Sequence, residues 1–387
     1  MASFDYLPED LVVEIMSWLP PESLLQIKFI NKWFHHLFTT LIKEPPFVVK
    51  HLHNSNKNLS SSTSLFFRSI HGLTRTGVTH TEVYIKGFLT IYQDHSDKEI
   101  NFDIGRCSPL LDEISDQISF VELGSHCDGI TCIADDSFGR FLLCNPAIGE
   151  FTRLPRHSSL YYQLWTVMFG FGYDSIGNVY KIVKVGIDPY LSYDPSYKAE
   201  VYTLGTESWK LIKIEIETGV SHGKGVYCKG VSYWLVWNPS DKEIIISFDF
   251  HSEEFRRMPL PSNLSARHEE ENVHSRKLAV WKDSLALFSY AKEEIMPLKS
   301  IELWVMSSSC GWTKMLTIDS GMDFPLEFWN NDEELLMVTD DDRKSLVSYN
   351  LQSKNVRNLD FNGIDFFCGV HYVKSLVSIS HKNYRPH

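Results

Sequence analysis

A chain of 387 residues, 43% hydrophobic and 22% charged, has ordinary globular composition and is long enough to bury a large core. Its formal net charge is −12. The first fifty residues hold −2 of it, six acidic side chains against four lysines, and the body −10. That balance argues against nucleic acid and suits either simple solubility or electrostatic attraction of a basic partner. With no run of 18 apolar residues and no charged-then-apolar start, the expectation is a chain free of the membrane and not secreted. It places the chain in the cytosol, with the nucleus open.

Three helices are predicted first. One runs from about Pro8 to Leu19, with proline at a tolerated first-turn position, Glu9 and Asp10 at the positive helix start, and Leu11, Val12, Ile15, Met16 and Leu19 at helical spacing. Pro20 and Pro21 end it. Pro21 opens a second helix carrying Leu24, Leu25, Ile27 and Phe29. Asn31 caps a third, on which Phe34, Leu37, Phe38 and Leu41 recur before Pro45 and Pro46 stop it. The apolar residues occupy more than one face of each helix. A unit of about 40 residues cannot bury them all, so they pack either on the rest of this chain or on a partner.

Leu7-Pro8-Glu9-Asp10-Leu11, Glu14-Ile15, Leu19-Pro20, Ser23-Leu24-Leu25, Asn31-Lys32, Phe34 and Pro46-Phe47 together resemble an F-box. The resemblance implies binding to a Skp-family adaptor and, through it, to a cullin and a RING protein of a ubiquitin ligase. It assigns adaptor contact or its direct support to Leu7, Pro8, Leu11, Ile15, Leu19, Pro20, Leu24, Leu25 and Phe34. The chain departs from the pattern at Glu22, where similar proteins often carry Lys or Arg, and at Gln26, Phe29 and Phe34.

From about residue 64 the texture becomes strand-like and repeats. Five segments share an apolar strand, a short polar turn and an aromatic or branched residue opening a second strand: 141–155, 199–213, 245–259, 302–316 and 346–360. The residues after the turns are Phe151, Trp209, Phe255, Trp312 and Val356, spaced about as four-stranded propeller blades are. Further strands are predicted at Gly129–Ala134, Tyr180–Val185, Val231–Trp237, Leu285–Tyr290 and Glu334–Val338. A sixth blade can be assembled from Leu65–Ile70 and Val83–Tyr92 with Phe366–Ile379, closing the ring with both ends of the chain. Five or seven blades stay open.

These repeats also carry Cys127-Asp128-Gly129-Ile130, Leu143-Cys144-Asn145-Pro146-Ala147, Phe169-Gly170-Phe171-Gly172-Tyr173-Asp174, Tyr233-Trp234, Leu303-Trp304-Val305-Met306 and Phe328-Trp329. From about residue 65 to 380 they resemble a plant F-box-associated domain. With Phe47-Val48-Val49-Lys50-His51-Leu52, the whole chain is most similar to the S-locus F-box family. That resemblance implies a pollen-side role in self-incompatibility and recognition of secreted S-ribonucleases. The expected fold is therefore α+β and multidomain. A small all-α trihelical F-box (1–52) and a linker (53–63) precede a mainly β, propeller-like, six-bladed domain that recognises a target (64–387).

Nothing in the sequence assembles a catalytic site, a cofactor or a metal centre. The spacing of Gly170, Gly172 and Gly177 is not that of a dinucleotide loop, and these glycines suit a turn or a close approach. His268-Glu269-Glu270-Glu271 and Asp340-Asp341-Asp342 lack metal-ligand spacing, and His35-His36 point to different sides of a helix. Seven cysteines without a C-x-x-C pair are expected as free thiols. The candidate target surface is aromatic: Tyr161, Tyr162 and Trp165 in one loop, Tyr190, Tyr193 and Tyr197 in another. The competing reading has these rings covering neighbouring blades. The acidic stretches His268–Lys277 and Asp340–Asp342 could add charge complementarity. Two other functions fit the same layout: a propeller enzyme or small-molecule sensor using a central channel, and an F-box scaffold outside ubiquitination.

Overall fold

The computed structural model describes residues 7–58, 62–75, 78–93, 100–106, 121–135, 140–155, 165–187, 197–214, 220–221, 225–238, 242–265, 273–292, 300–307, 311–318, 324–329, 332–339, 345–359 and 370–379. Four helices open it: α1 (Glu9–Met16), α2 (Pro21–Ile27), α3 (Lys32–Leu41) and α4 (Pro45–Asn58). The caps are those the residues dictate. Pro8 and Pro20 sit extended before α1 and α2, and the Asn31 side chain accepts a 2.9 Å bond from the Phe34 N–H at the start of α3. The first helix is shorter than predicted, ending at Met16 with Ser17 as its C-cap.

The fourth helix corrects the trihelical expectation. Pro45 and Pro46 end α3, but proline at a first turn also starts a helix. Residues 53–58, predicted as linker, continue α4 instead. Phe47, Val48, His51, Leu52 and Asn54 are buried at helical spacing, with the Asn54 amide donating to Ser17 Oγ at 2.9 Å and His51 Nε2 2.9 Å from the Leu19 carbonyl oxygen. So α4 underpins the end of α1.

The strands follow. β1 (Ser62–Arg75), β2 (Val78–Gln93) and β3 (Ile100–Arg106) form one sheet. β4 (Val121–Cys127), β5 (Ile130–Asp135), β6 (Arg140–Asn145) and β7 (Glu150–Arg153) form a blade. The next contains β8 (Trp165–Asp174), β9 (Val179–Ile187), β10 (Tyr197–Thr203) and β11 (Trp209–Ile212). A third has β12 (Val220–Ser221), β13 (Val226–Cys228), β14 (Val231–Asn238), β15 (Lys242–Asp249) and β16 (Glu254–Met258), followed by the short helix α5 (Ser262–Ser265). A fourth has β17 (Val273–Trp281), β18 (Ser284–Lys292), β19 (Ile301–Met306) and β20 (Trp312–Ile318). The fifth has β21 (Phe324–Trp329), β22 (Glu334–Val338), β23 (Leu346–Asn350) and β24 (Val356–Asn358). β25 (Val370–Tyr372) returns to pair with β1.

The domain is thus mainly β and propeller-like, but not six like blades. Five sheets are blades of consecutive antiparallel strands, one fewer than expected. The sheet β25-β1-β2-β3 is of another make, with two long strands of 14 and 16 residues and only three residues from the far end of the chain.

Each blade repeats one construction. The predicted second strands are β5, β9, β14, β18 and β22. Two-residue turns with positive φ at both positions, Asp128-Gly129, Lys229-Gly230 and Lys282-Asp283, join first to second strands, matching the strand twist. Between third and fourth strands, Asn145, Asp249 and Asn350 side chains accept backbone N–H bonds from two residues on. The residues singled out by the repeat, Phe151, Trp209, Phe255, Trp312 and Val356, all lie at or next to the start of the outermost strand. Trp209 is 7% exposed and donates its indole N–H to the Pro155 carbonyl. Trp312 makes the equivalent bond to Pro259 but is only half-buried, and Val356 is exposed.

Side chains alternate between the two neighbours of each blade. Ile244 and Ile246 join Val183, Val185 and Val201 of the preceding blade, while Ile245 joins Leu278, Leu285 and Leu287 of the following one. Phe288 and Leu303 then meet Phe328 and Leu335 of the fifth blade. Burial on both faces is what a strand between stacked blades requires.

Candidate functional site

Among the described residues, exposed apolar side chains gather most densely on the helices. Leu7, Leu11 and Ile15, four residues apart along one stripe, are 44%, 50% and 52% exposed, and Pro8 and Pro20 are exposed beside them. Trp18, Phe29, Ile30 and Trp33 add to the open apolar surface, with Phe29 at 78% exposure. A large exposed apolar patch on a folded chain marks an interaction surface. The stripe is held in shape: Glu14 pairs with Lys50 of α4 and accepts the Trp18 indole N–H at 3.1 Å. These two hydrogen bonds hold the Glu14 carboxyl below its ordinary value.

Not every predicted contact residue lies on this face. Leu24 and Phe34 are buried in the core, and Leu19 and Leu25 are partly buried against it. Leu24 and Phe34 therefore sit behind the surface, because a helix turned to offer one stripe must seat its opposite stripe inside. Conversely, Trp18, Phe29, Ile30 and Trp33 were absent from the predicted set. The run of apolar residues at Phe29 and Ile30, just past the end of α2, was the signal available, since a large apolar pair in a short connection has little of its own chain to pack on. Glu22, a departure from the resemblance, pairs with Lys374 at 2.6 Å.

Of the aromatic target candidates, Tyr161, Tyr162, Tyr190 and Tyr193 lie outside the described residues. Trp165 begins β8 and Tyr197 begins β10. Tyr197 is half-buried, packed against the core between two blades, and that burial raises its phenol pKa. His268–Glu271 and Asp340–Asp342 also fall outside the described residues. The stretch predicted as an acidic loop up to Lys277 is strand β17 from Val273 onward, with Arg276 paired to Glu243 and Lys277 donating to the Pro325 carbonyl at 2.8 Å.

Gly170 and Gly172 serve close approach: a Cβ on either would collide with Trp234 and Ser232, or with Tyr227 and Phe250, of the next blade. Gly177 lies against Asp174 in the β8–β9 turn. Among the described residues no group of three or more His, Cys, Asp or Glu is gathered to hold a metal, and Cys127, Cys132, Cys144 and Cys228 are free thiols. No described helix is long and apolar enough to cross a membrane.

Comparison with known proteins places this architecture. The family described as F-box associated beta propeller domain matches residues 81–379. The chain belongs to that family. Its relatives extend over the helices as well. An Arabidopsis thaliana protein whose name carries both F-box and kelch-repeat is 28% identical, covering 89% of this chain and 84% of its own length. An F-box protein of the same plant is 28% identical over 90% of this chain and 86% of its own. An F-box/LRR-repeat/kelch-repeat protein is 25% identical over 96% and 97%. The chain is thus similar, helices included, to plant proteins named as F-box proteins, and behind those helices it carries the propeller-type domain of its own family.

Proposed function

We propose that this chain is the substrate-recognition subunit of a Skp–cullin–F-box ubiquitin ligase. The observation that carries the reading is the stripe of Leu7, Leu11 and Ile15 with Trp18, left open on helices whose opposite faces are well buried. The adaptor covers Leu7, Pro8, Leu11, Ile15 and Pro20, with Leu19 and Leu25 at the margin and Leu24 and Phe34 shaping the surface from behind. Through the adaptor the chain joins a cullin and a RING protein. It performs no chemistry itself. Its contribution is proximity, which converts a bimolecular transfer to a target lysine into an intramolecular one.

The propeller holds the target. The acidic charge of the body suits a basic protein, and the resemblance to the S-locus group makes a secreted S-ribonuclease in pollen self-incompatibility the target we propose. Tyr161, Tyr162, Trp165, Tyr190, Tyr193 and Tyr197 are the proposed contacts. Co-purification from native tissue tests the whole reading. Recovery of adaptor, cullin and a ribonuclease together is the expected result. Adaptor without cullin would point to a scaffold outside ubiquitination, and absence of the adaptor would overturn the assignment.

A further inference from the structure

After β25 the chain leaves the ladder, yet the described residues that follow stay mostly buried. Val373, Ser375, Leu376, Val377, Ser378 and Ile379 are all buried without belonging to a strand or helix. A buried irregular segment must find partners for its backbone elsewhere, and here one blade supplies them. The Asn145 side-chain amide, itself fully buried, donates to the carbonyls of Ser375 at 3.1 Å and Val377 at 2.7 Å. The Glu150 carboxylate accepts the Ile379 N–H at 2.7 Å and the Ser378 hydroxyl at 2.8 Å. Ser375 Oγ donates to the Asp128 carbonyl at 2.5 Å, and the Tyr372 hydroxyl donates to Asn145 Oδ1 at 3.1 Å. Gly129 is required for this approach. Its φ of 82° favours glycine, and a Cβ there would collide with Ser375 Oγ and the Val373 carbonyl.

The same segment also meets the helices. Val373, Leu376, Val377 and Ile379 share one apolar cluster with Met16 and Leu24 of the helical unit, and Lys374 reaches Glu22 of α2. Residues 373–379 are therefore fastened to the β4–β7 blade by polar bonds. An ion pair, at the edge of an apolar cluster that takes in both the segment and the helices, ties them to α2.

We propose that residues 373–379 are the joint that holds the F-box helices at one angle to the propeller, with the Glu22–Lys374 pair selecting that angle. The pair is partly exposed, so it adds little stability. An apolar contact alone is non-directional, whereas an ion pair between α2 and the segment favours one rotation of the helices over others. The consequence rests on the ligase reading above: a rigid joint keeps the bound target at a constant distance from the machinery that the adaptor recruits. Lys374 and Glu22 would then be positioning residues for transfer.

Hydrogen exchange on the full chain tests the joint without any partner. Wild type, Glu22→Lys, the swap of Glu22→Lys with Lys374→Glu, and Leu376→Ala with Ile379→Ala are compared. Amides of α2 and of 373–379 should exchange on the order of three- to tenfold faster in Glu22→Lys, return to wild-type rates in the swap, and exchange more than about tenfold faster in the double alanine variant. Amides of β18 should not change in Glu22→Lys or the swap. Wild-type exchange at 373–379 as fast as in an unstructured peptide, or failure of the swap to restore protection, would overturn the joint. Small-angle scattering of each variant bound to purified Skp-family adaptor then reads the angle directly. A broadened distance distribution in Glu22→Lys that narrows in the swap is expected, and identical curves for all variants would overturn the proposal. Adaptor binding by wild type is scored separately. Its loss would count against the ligase reading, while the exchange data would still decide the joint.

Discussion

The helical unit and the propeller treat apolar side chains in opposite ways. In the propeller, Phe248, Phe288, Leu335 and Trp234 are sealed between blades, and each blade's two faces are covered by its neighbours. In the helical unit one stripe is buried with equal care, by Met16, Leu24, Phe34 and Phe38, while Leu11, Ile15, Phe29 and Trp33 stand open. Stacked repeats supply their own cover. Four short helices on one flank of a blade do not, and what they leave open is where another protein belongs.

The contrast predicts two classes of mutational effect that should not mix. The largest is at the open stripe. Leu11→Asp with Ile15→Asp would place two charges in a dry interface, at a cost of several kcal/mol, or about a thousandfold or more in adaptor affinity. The melting temperature should barely move, because both side chains are already wet in the free chain. A calorimetric titration with purified adaptor and a thermal melt check both halves. Retained affinity, or a large fall in melting temperature, would erase the distinction between regions.

Inside the propeller the reverse should hold. Trp209→Ala should destabilise by about 3–5 kcal/mol through a cavity between two blades, with adaptor affinity unchanged. Trp312→Ala, at the equivalent repeat position but half-exposed, should cost less, on the order of 1–3 kcal/mol. Chemical denaturation of both variants ranks them, and equal costs would mean that the repeat position, not burial, decides. Glu200→Gln belongs to the same class. Lys184 and Glu200 pair at 3.2 Å almost without exposure, and burial already holds the lysine below its ordinary value. Losing the carboxylate should cost about 3–5 kcal/mol, while replacing both residues by apolar ones should be nearly neutral.

A smaller effect separates the regions by pH. Burial lowers the His51 imidazole below 6.5, with the Leu19 carbonyl and Glu22 acting against it. The unfolded chain then takes up the proton more readily than the folded one. This contribution is complete above about pH 6.5 and is lost as pH falls through that value, by at most about 1.4 kcal/mol per unit until the folded group also titrates. Melts at pH 7.5 and 5.5 should show the helical unit loosening in wild type, with a weaker pH dependence in His51→Gln. Smallest is the steering of a basic target by the acidic body, a change of a few-fold in on-rate between low and high salt. Stopped-flow association at two salt concentrations measures it, and a salt-independent on-rate would remove charge from the recognition model.

Much of this was legible before any coordinates. The Asn31 cap, the second strands of five blades, and the outer-strand residues Phe151, Trp209, Phe255, Trp312 and Val356 were all visible, because propensity, turn chemistry and period act within a few residues of one another. Pro8 and Pro20, by contrast, read as the first turn of one helix and its end, stand just outside α1 and α2 as their N-caps. The start of α4 was not, since two prolines are as suited to opening a helix as to closing one. Which members of the predicted docking set face outward was hidden as well. Leu11 and Leu24 are the same residue type on similar amphipathic helices, and only the position of the body behind them makes one wet and the other dry.

The local sequence alone determined where the first three helices and the blade hairpins form, since those choices are settled by short-range sterics and backbone hydrogen bonds. Tertiary structure alone decided three further matters: that Gly129, Asn145, Glu150 and Glu22 converge on residues 373–379, that the sheet closing on β25 is unlike the five blades, and that the helices present Leu7, Leu11 and Ile15 to solvent. The physical reason is sequence separation. Asn145 meets Val377 across more than two hundred residues, and no periodicity in a chain records which of its distant polar groups will be left needing one another once the blades have stacked.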